Sequence, residues 1–450
     1  MRSEINVKFE IDKTTIRMLL FLAAIVALIA LSSSHAAAQE VADTIRINTR
    51  VVFMDALVKD KRTGVPIADL KPEYFEILDN GTPRPIAYFT REGQARKPLA
   101  LILVLDLRDS GAGRFLKRPE ILKAMTDELA KLSAEDEVAI LAIDLNGEDA
   151  HRLWLTGFTR DHAQISAALQ KAAQFIDVDE ATADARAGQS GQNDADHTSS
   201  LTLGSSKQAK DSSGPGPGTP QSDQNAEVEV IKGKNGSTVT RTTRADGSIA
   251  VKRQNKSGDV TMELGDVYDM AAAVKDSTRK AQKERPNSQV AMVWVSDGIT
   301  PMFFEDRDAT EQLVLRQNVI FSSLTTELRT LFKMLMPIGK PIAGMLGLSV
   351  YGTAKRLAEQ SGGEAVKVKR PKDYAAGLSK IIGNLTARYS LGFTLAEDEK
   401  DNGQLHELEV RVKAPDAKGK LRKLEVSARR GYYMSEVGVR TGVDKSTARQ

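Results

Sequence analysis

The stretch that most constrains the fold is Leu99–Asp106, LALILVLD, an apolar run that ends in a carboxylate. Continuous aliphatic character over this length is typical of a strand buried on both faces of a parallel sheet. A second such run, residues 290–296, also ends in an acid, Asp297, which Gly298 follows. Because ligands in open α/β sheets lie beyond the carboxyl ends of the strands, the two aspartates indicate a cation site or its remnant. The alternative is that both aspartates cap turns or helices.

The surrounding pattern predicts the rest of the architecture. Between residues 97 and 389, strand runs alternate with helical stripes, which predicts a doubly wound, mostly parallel α/β sheet. Residues 45–95 and 390–434 instead alternate in polarity, and each segment has too few strands for a stable sandwich. Because the ends of a domain commonly lie close together, we expect both segments to pack as one β-sandwich domain. Two unrelated β-ribbons are the alternative.

Residues 179–260 interrupt the α/β pattern. Residues 179–225 are poor in apolar side chains and rich in Ser, Gly, Gln and Asp, a composition that predicts a disordered loop. Residues 228–260 alternate in polarity and contain two turn signals, Asn235-Gly236 and Asp246-Gly247. They predict a small exposed β-hairpin or meander.

The first 38 residues have the pattern of a signal peptide. Lys13 and Arg17 precede the apolar residues 18–31, and the small residues up to Ala38 suit cleavage. No cysteine follows, which excludes a lipid-anchored cysteine. We therefore expect export to the periplasm, the cell surface or the medium, with an uncleaved membrane anchor as the alternative.

Composition excludes several classes of protein. The 63 basic and 60 acidic residues give a net charge of +3, which offers no electrostatic basis for binding nucleic acid. The absence of cysteine excludes disulfides and thiolate metal sites. The five histidines have no paired spacing, so the sequence does not predict a histidine-rich metal site.

Four signatures, in this order, resemble the von Willebrand factor type A-related family of bacterial secreted proteins. They are VVFMDALVKDKRTGVPIADLKPEYFEILDNGTPRPIAYF, then LALILVLD, then VAMVWVSDG, and finally LAEQSGGEAV with ARYSLGFTL and ARRGYY. The resemblance covers roughly residues 45–435, with the insertion outside the pattern. It implies the A-domain fold, with a ligand face at the carboxyl ends of the strands.

The same resemblance implies a site for Mg2+ or another divalent cation. In this chain Asp106, Ser110 and Asp297 match the motif, whereas Arg108 and Gly265 stand where a serine and a threonine are expected. A hard cation takes about six oxygen ligands, and a guanidinium would oppose it. We therefore expect a degenerate site that holds Mg2+ or Ca2+ weakly or not at all.

No catalytic constellation is evident, so the sequence predicts a protein-interaction or adhesion module with no catalytic or cofactor-binding residues. A structural component of a cell-envelope assembly is the second hypothesis. It would bind a partner, or a membrane, through the apolar segment that begins at Leu331 and ends at Leu348, for which a local buried loop is the more common interpretation. A secreted hydrolase is the third hypothesis, in which Ser110 or Ser296 would need a base. His151 is expected at the wrong end of the sheet for that role.

Overall fold

A computed structural model describes residues 50–91, 97–107, 116–146, 149–173, 226–244, 249–264, 269–326, 343–345, 347–396, 398–399 and 402–434. The described residues belong to one unit that begins at Arg50. The predicted signal peptide, Arg108, Ser110, Gly265, residues 179–225 and most of the apolar segment 331–348 lie outside these ranges. Within them, no helix has the length and apolar character needed to cross a bilayer.

The elements follow one another in this order. The strands are β1 (Val51–Asp60), β2 (Phe75–Asp79), β3 (Thr82–Arg84), β4 (Tyr88–Thr90), β5 (Leu99–Asp106), β6 (Glu137–Asn146), β7 (Asp149–Thr159), β8 (Glu227–Lys232), β9 (Thr238–Thr243), β10 (Ile249–Gln254), β11 (Val260–Leu264), β12 (Gln289–Ser296), β13 (Ile299–Phe303), β14 (Ile320–Thr326), β15 (Leu348–Tyr351), β16 (Ala365–Val368), β17 (Tyr389–Thr394), β18 (His406–Val412), β19 (Leu424–Ser427) and β20 (Gly431–Tyr432). The helices are α1 (Pro119–Leu129), α2 (His162–Ala173), α3 (Met270–Glu284), α4 (Phe304–Arg316), α5 (Thr353–Ser361) and α6 (Tyr374–Thr386).

The central sheet has the strand order β16-β14-β12-β5-β6-β7. All neighbours from β16 to β6 pair in parallel, and β7 is antiparallel to β6. Every residue of β5 is buried, as its continuous apolar run predicts. The protein is thus of the α/β class, with a mostly parallel sheet at its centre.

Helices contact both faces of this sheet. Alternate residues of β5, such as Leu101 and Leu103, join a core cluster with side chains of α1, α2 and α6. The intervening residues Ile102 and Val104 join a second cluster with side chains of α3, α4 and α5. Because successive side chains of a strand point to opposite faces, one continuous apolar strand supplies both cores.

The terminal strands pair with one another across the length of the chain. β1 lies between β17 and β19, and β4 continues that sheet beyond β17. A second four-stranded sheet has the order β20-β18-β2-β3. One hydrophobic cluster joins the two sheets, and it includes Met54, Ile77, Tyr389, Phe393 and Tyr432. Strands from both ends of the sequence therefore share one core.

Buried polar groups join these terminal strands to the α/β part. Lys59 Nζ lies 2.5 Å from Glu364 Oε1, and Asn384 donates a hydrogen bond to the other oxygen of that carboxylate. Arg388 Nη2 donates to the carbonyl of Gly362 (2.7 Å), and Arg429 Nη1 donates to the carbonyl of Leu315 (3.2 Å). Burial lowers the pKa of Arg429 to about 10. These contacts connect β1 and the C-terminal strands to the ends of α4, α5 and α6.

The inserted strands form a meander, one of the two predicted arrangements, but it is packed against helices and not exposed as expected. β8 to β11 make a four-stranded antiparallel sheet in sequential order. Val239, Ile249 and Val251 are buried in the cluster that contains α3, α4 and α5. A small sheet is stable when its apolar face is covered. Here the apolar face of the inserted sheet packs against these helices.

Candidate functional site

The two sequence-predicted aspartates lie at the same edge of the central sheet. Asp106 is the last residue of β5, and Asp297 directly follows β12. The two strands are parallel neighbours, with Leu105 opposite Val295 in the register. Asp106 is only 1% exposed, and Asp297 is half-buried. Both carboxylates are therefore placed where the alternation of strands and helices leads us to expect a ligand.

Hydroxyl groups accompany the aspartates at this edge. Ser296 Oγ accepts a hydrogen bond from the amide of Gly298 (3.0 Å). Gly298 has a φ of +86°, and a Cβ there would lie 3.6 Å from Cβ of Thr325, so the chain turns closely past the end of β14. Thr325 is buried and lies opposite Ser296 in the register. Sequence analysis missed Thr325, although it lies near the end of an apolar strand as the aspartates do.

The structure tests the predicted cation site only in part. It brings Asp106 and Asp297 to one edge, while Ser110 and the substituted positions Arg108 and Gly265 lie outside the described ranges. Carboxylate and hydroxyl oxygens at this edge are of the type that Mg2+ and Ca2+ prefer. In the described part of the chain, no group of three or more His, Cys, Asp or Glu residues could hold a metal ion. The predicted ligand set thus remains a prediction.

The expectation that His151 lies at the opposite end of the sheet from Asp106 is wrong, as the strand pairing shows. β7 runs antiparallel to β6, and His151 lies opposite Asp144 near the end of β6. Ile143 in turn lies opposite Asp106. The start of β7 therefore lies at the same edge as Asp106, because reversing a strand moves its first residues to the carboxyl end of its neighbour.

The inserted sheet is bound to the helix that follows this edge. Arg253 Nη2 lies 3.1 Å from Glu305 Oε1, and Ser237 Oγ donates to the same carboxylate. Burial alone would raise the pKa of Glu305, but the hydrogen bonds from Arg253 and Ser237 hold it below its usual value. Glu305 is the second residue of α4, which begins shortly after Asp297.

A second buried ionic group lies deeper under the inserted sheet. Arg241 donates to Asp306 Oδ2 (2.9 Å) and to both oxygens of Asp269 (3.1 and 3.3 Å). Asp269 is also the N-cap of α3, where its side chain accepts from the amide of Ala272 (3.0 Å). Sequence analysis did not identify this group. The insertion is therefore anchored to the first turns of α3 and α4 by charge as well as by apolar contact.

Comparison with known proteins gives remote structural likenesses only. No protein-family model matches the chain, and no curated protein is similar to it in sequence. The VWA domain of SpRpn10 is similar at 8% identity with a TM-score of 0.29, over 64% of this chain and 98% of that one. Proximal thread matrix protein 1 from the mussel byssus is similar at 9% identity with a TM-score of 0.30, over 68% of this chain and 51% of that one. The pilus adhesin SpaC of Lactobacillus rhamnosus GG, in its open conformation, is similar at 9% identity with a TM-score of 0.31, over 81% of this chain and 48% of that one.

Proposed function

We propose that the protein is an extracytoplasmic protein-interaction module of the von Willebrand A type, with its binding face at the carboxyl edge of the central sheet and without catalytic activity. The observation that carries the proposal is the juxtaposition of Asp106 and Asp297 at the ends of neighbouring parallel strands. The order of the four sequence signatures is consistent with it. The proposal includes export of the chain, directed by residues 1–38.

The proposed architecture has two parts. The sheet with helices on both faces would be a doubly wound A-domain, spanning residues 97–389 and carrying the inserted sheet. The strands of residues 45–95 and 390–434 would form one β-sandwich domain beside it. The shared cluster of Met54, Tyr389 and Tyr432, together with the pairing of β1 with β17, supports this division.

The proposed cation site is degenerate. Asp106, Ser110 and Asp297 would hold Mg2+ or Ca2+, and a bound cation would present positive charge to an acidic group of a protein partner. Arg108, two residues before Ser110 in the sequence, carries a fixed positive charge, and Gly265 contributes no side-chain oxygen. These two substitutions are the reason for expecting weak binding.

Metal addition should therefore have little effect on stability. We expect millimolar Mg2+ or Ca2+ to change the melting temperature by less than about 1 °C, because a ligand stabilises only in proportion to its affinity for the folded state. The double variant Arg108→Ser with Gly265→Thr restores two oxygen ligands and should respond by about 2 °C or more. Differential scanning calorimetry with EDTA as the reference measures both effects.

The control for this measurement is Asp106→Ala in the double-variant background, which should remove the gain. A strong response of the unmodified protein that Asp106→Ala abolishes would show that Arg108 and Gly265 do not weaken the site.

Affinity capture from the cell envelope tests the interaction proposal. We expect Asp297→Ala to reduce recovery of a partner, because Asp297 is a half-buried acid at the proposed face. The matched control is Glu135→Ala, an exposed acid just before β6 and therefore at the opposite edge of the sheet. Equal loss in both variants, or in neither, would contradict this location of the binding face. A parallel capture in EDTA reports whether a cation takes part.

A role as an assembly component is the second candidate function. Met345, within the apolar segment 331–348, is 87% exposed, which is typical of a side chain available to a partner. In this case polar substitution across residues 331–348 would reduce capture, and Asp297→Ala would not. Selective loss with the segment variant, and none with Asp297→Ala, would favour assembly over the A-domain face.

A further inference from the structure

A cavity of about 280 Å³ lies between the inserted sheet and two helices of the α/β part. The inserted sheet contributes side chains of β8 and β9, and the helices are α3 and α4. Its lining includes the exposed side chain of Arg279, so solvent reaches it. It is separate from Asp106 and Asp297, neither of which lines it.

The floor of the cavity carries two buried polar atoms that have no partner in the described part of the chain. Asp306 is 1% exposed, and its Oδ2 accepts from Arg241, while its Oδ1 has no hydrogen-bond partner there. Thr278, also 1% exposed, has an unpartnered Oγ1. Leaving such atoms unsatisfied in a buried site is costly, so their presence at a cavity points to a ligand that donates hydrogen bonds.

Charge around the cavity favours a cation. Of the basic lining residues, Lys275 pairs with Glu229 (2.6 Å), and Arg279 pairs with Glu227, an exposed acid outside the lining (2.8 Å), so an acid neutralises each of them. At the floor, the single guanidinium of Arg241 faces the carboxylates of both Asp269 and Asp306. Asp269 does not itself line the cavity, but its charge and that of Asp306 together exceed the charge of Arg241 by one when both acids are ionised.

The walls limit the kind of cation. Ile231, Ala271, Ala309 and Leu313 line the cavity with apolar surface, which suits a short hydrocarbon chain. Mg2+ or Ca2+ would require about six oxygen ligands, and no acidic cluster among the described residues could supply such a set. An anion would meet the unpartnered carboxylate oxygen of Asp306.

We propose that this cavity binds a primary alkylammonium group, which donates hydrogen bonds to Asp306 Oδ1 and Thr278 Oγ1 while its alkyl chain contacts Ile231 and Leu313. The group could be carried by a free small amine or by a lysine side chain of a peptide. Binding at this place would also reinforce the attachment of β8 and β9 to α3 and α4, because all four elements line the cavity.

The acid–base behaviour of Asp306 supports the proposal. Burial, together with the neighbouring charges of Asp269 and Glu229, raises its pKa to about 7 against the lowering effect of Arg241. Lys275 and Arg279 are the other charged groups that face the cavity. An ammonium group prefers the ionised carboxylate, so affinity should fall about tenfold between about pH 8 and about pH 6.

Isothermal titration of the full chain with n-butylammonium chloride tests the site. We expect saturable binding with a Kd on the order of 1 mM, as for a ligand of few heavy atoms, and no binding of butyrate. Asp306→Asn should weaken binding at least about tenfold, because it removes the charge of the acceptor. A second arm uses the lysine derivative Nα-acetyl-lysine N-methylamide, and stronger binding of this probe would identify a peptide as the source of the ammonium group.

A second variant covers the case in which Asp306→Asn does not fold. Thr278→Val has the same shape, removes only an unpartnered hydroxyl, and should weaken binding about threefold without loss of stability. The matched control is Thr126→Val on α1, whose hydroxyl bonds to the carbonyl of Leu122 (3.0 Å) away from the cavity. The proposal is overturned if neither amine binds at concentrations on the order of 10 mM, or if Thr278→Val and Thr126→Val have equal effects on affinity.

Discussion

Replacing Gly363 with alanine should destabilise the protein by more than about 4 kcal/mol, a loss large enough to prevent recovery of folded material. A Cβ at this position would lie 1.9 Å from the carbonyl oxygen and 2.6 Å from the carbonyl carbon of Phe321. Phe321 belongs to strand β14 of the central sheet and is fully buried. Neither side of the contact can move without breaking the sheet, because both are backbone.

The surrounding hydrogen bonds prevent relief of this clash. Glu364, the next residue, donates its amide to Ser322 Oγ (3.2 Å) and accepts at its carbonyl from the amide of Ser323 (2.8 Å). Its carboxylate is held by Lys59 and Asn384. Chemical denaturation followed by circular dichroism measures the loss.

Gly383→Ala is the matched control. Gly383 lies within α6, and a Cβ there would meet no atom within 4 Å. Alanine loses less backbone entropy than glycine in a helix, so this variant should be more stable by about 0.5–1 kcal/mol. Equal stabilities of the two variants would show that the junction of α5 and β16 is looser than the structure indicates.

Truncation after Tyr389 should release the N-terminal strands. The shortened chain lacks the two neighbours of β1, which are β17 and β19, and also lacks β18, the partner of β2. We expect amide hydrogen exchange in β1 and β2 to accelerate by orders of magnitude, since β1 loses both neighbours and β2 keeps only the three-residue strand β3. Hydrogen exchange measured by mass spectrometry distinguishes loss of amide protection in β1 and β2 from loss of protection in the central sheet.

A chain that ends at Met434 is the control, because it keeps every described strand. Its exchange pattern in β1 and β2 should match that of the full chain. Unchanged protection of β1 in the chain ending at Tyr389, with the central sheet still protected, would show that the pairing of β1 with β17 adds no stability.

The apolar strands were the most predictable part of the fold. β5 and β12 are buried on both faces, and the apolar runs that mark them carry that information directly. The direction of β7 could not be predicted, because alternation of polarity is the same in both directions along a strand. The boundary between β11, which contains Met262, and α3, which begins at Met270, could not be predicted either. A short amphipathic run fits both the helical and the strand periodicity, so its tertiary contacts decide whether it forms a helix or a strand.

The buried ionic groups of the insertion were missed for a physical reason. Charged residues on a short alternating ribbon are normally solvated, and only tertiary packing decides otherwise. A signal was nevertheless present, since Arg241 is two residues from Val239 and Arg253 is two residues from Val251. Residues two apart share a face of a strand, so each arginine lies on the apolar side.

The candidate edge was predictable to a similar extent. The rule that ligands lie beyond the carboxyl ends of parallel strands located Asp106 and Asp297 correctly at one edge. The same rule does not identify Thr325, because a threonine near a strand end is also a common β-forming residue. It equally does not place Ser110 relative to Asp297, since loop conformation depends on contacts that periodicity does not encode.

The pairing of the terminal strands also determines the order in which the chain can fold. Asp55 on β1 and Ser390 on β17 are joined by a side-chain hydrogen bond across 335 residues of sequence. Closing a loop of that length has a large entropic cost, which falls only when the α/β part has already brought the two ends together. β1 is the first described strand to be synthesised, yet its neighbours are made near the end of translation. Its edges therefore stay open to wrong partners until the last strands emerge, and a chain that stops early leaves them open permanently.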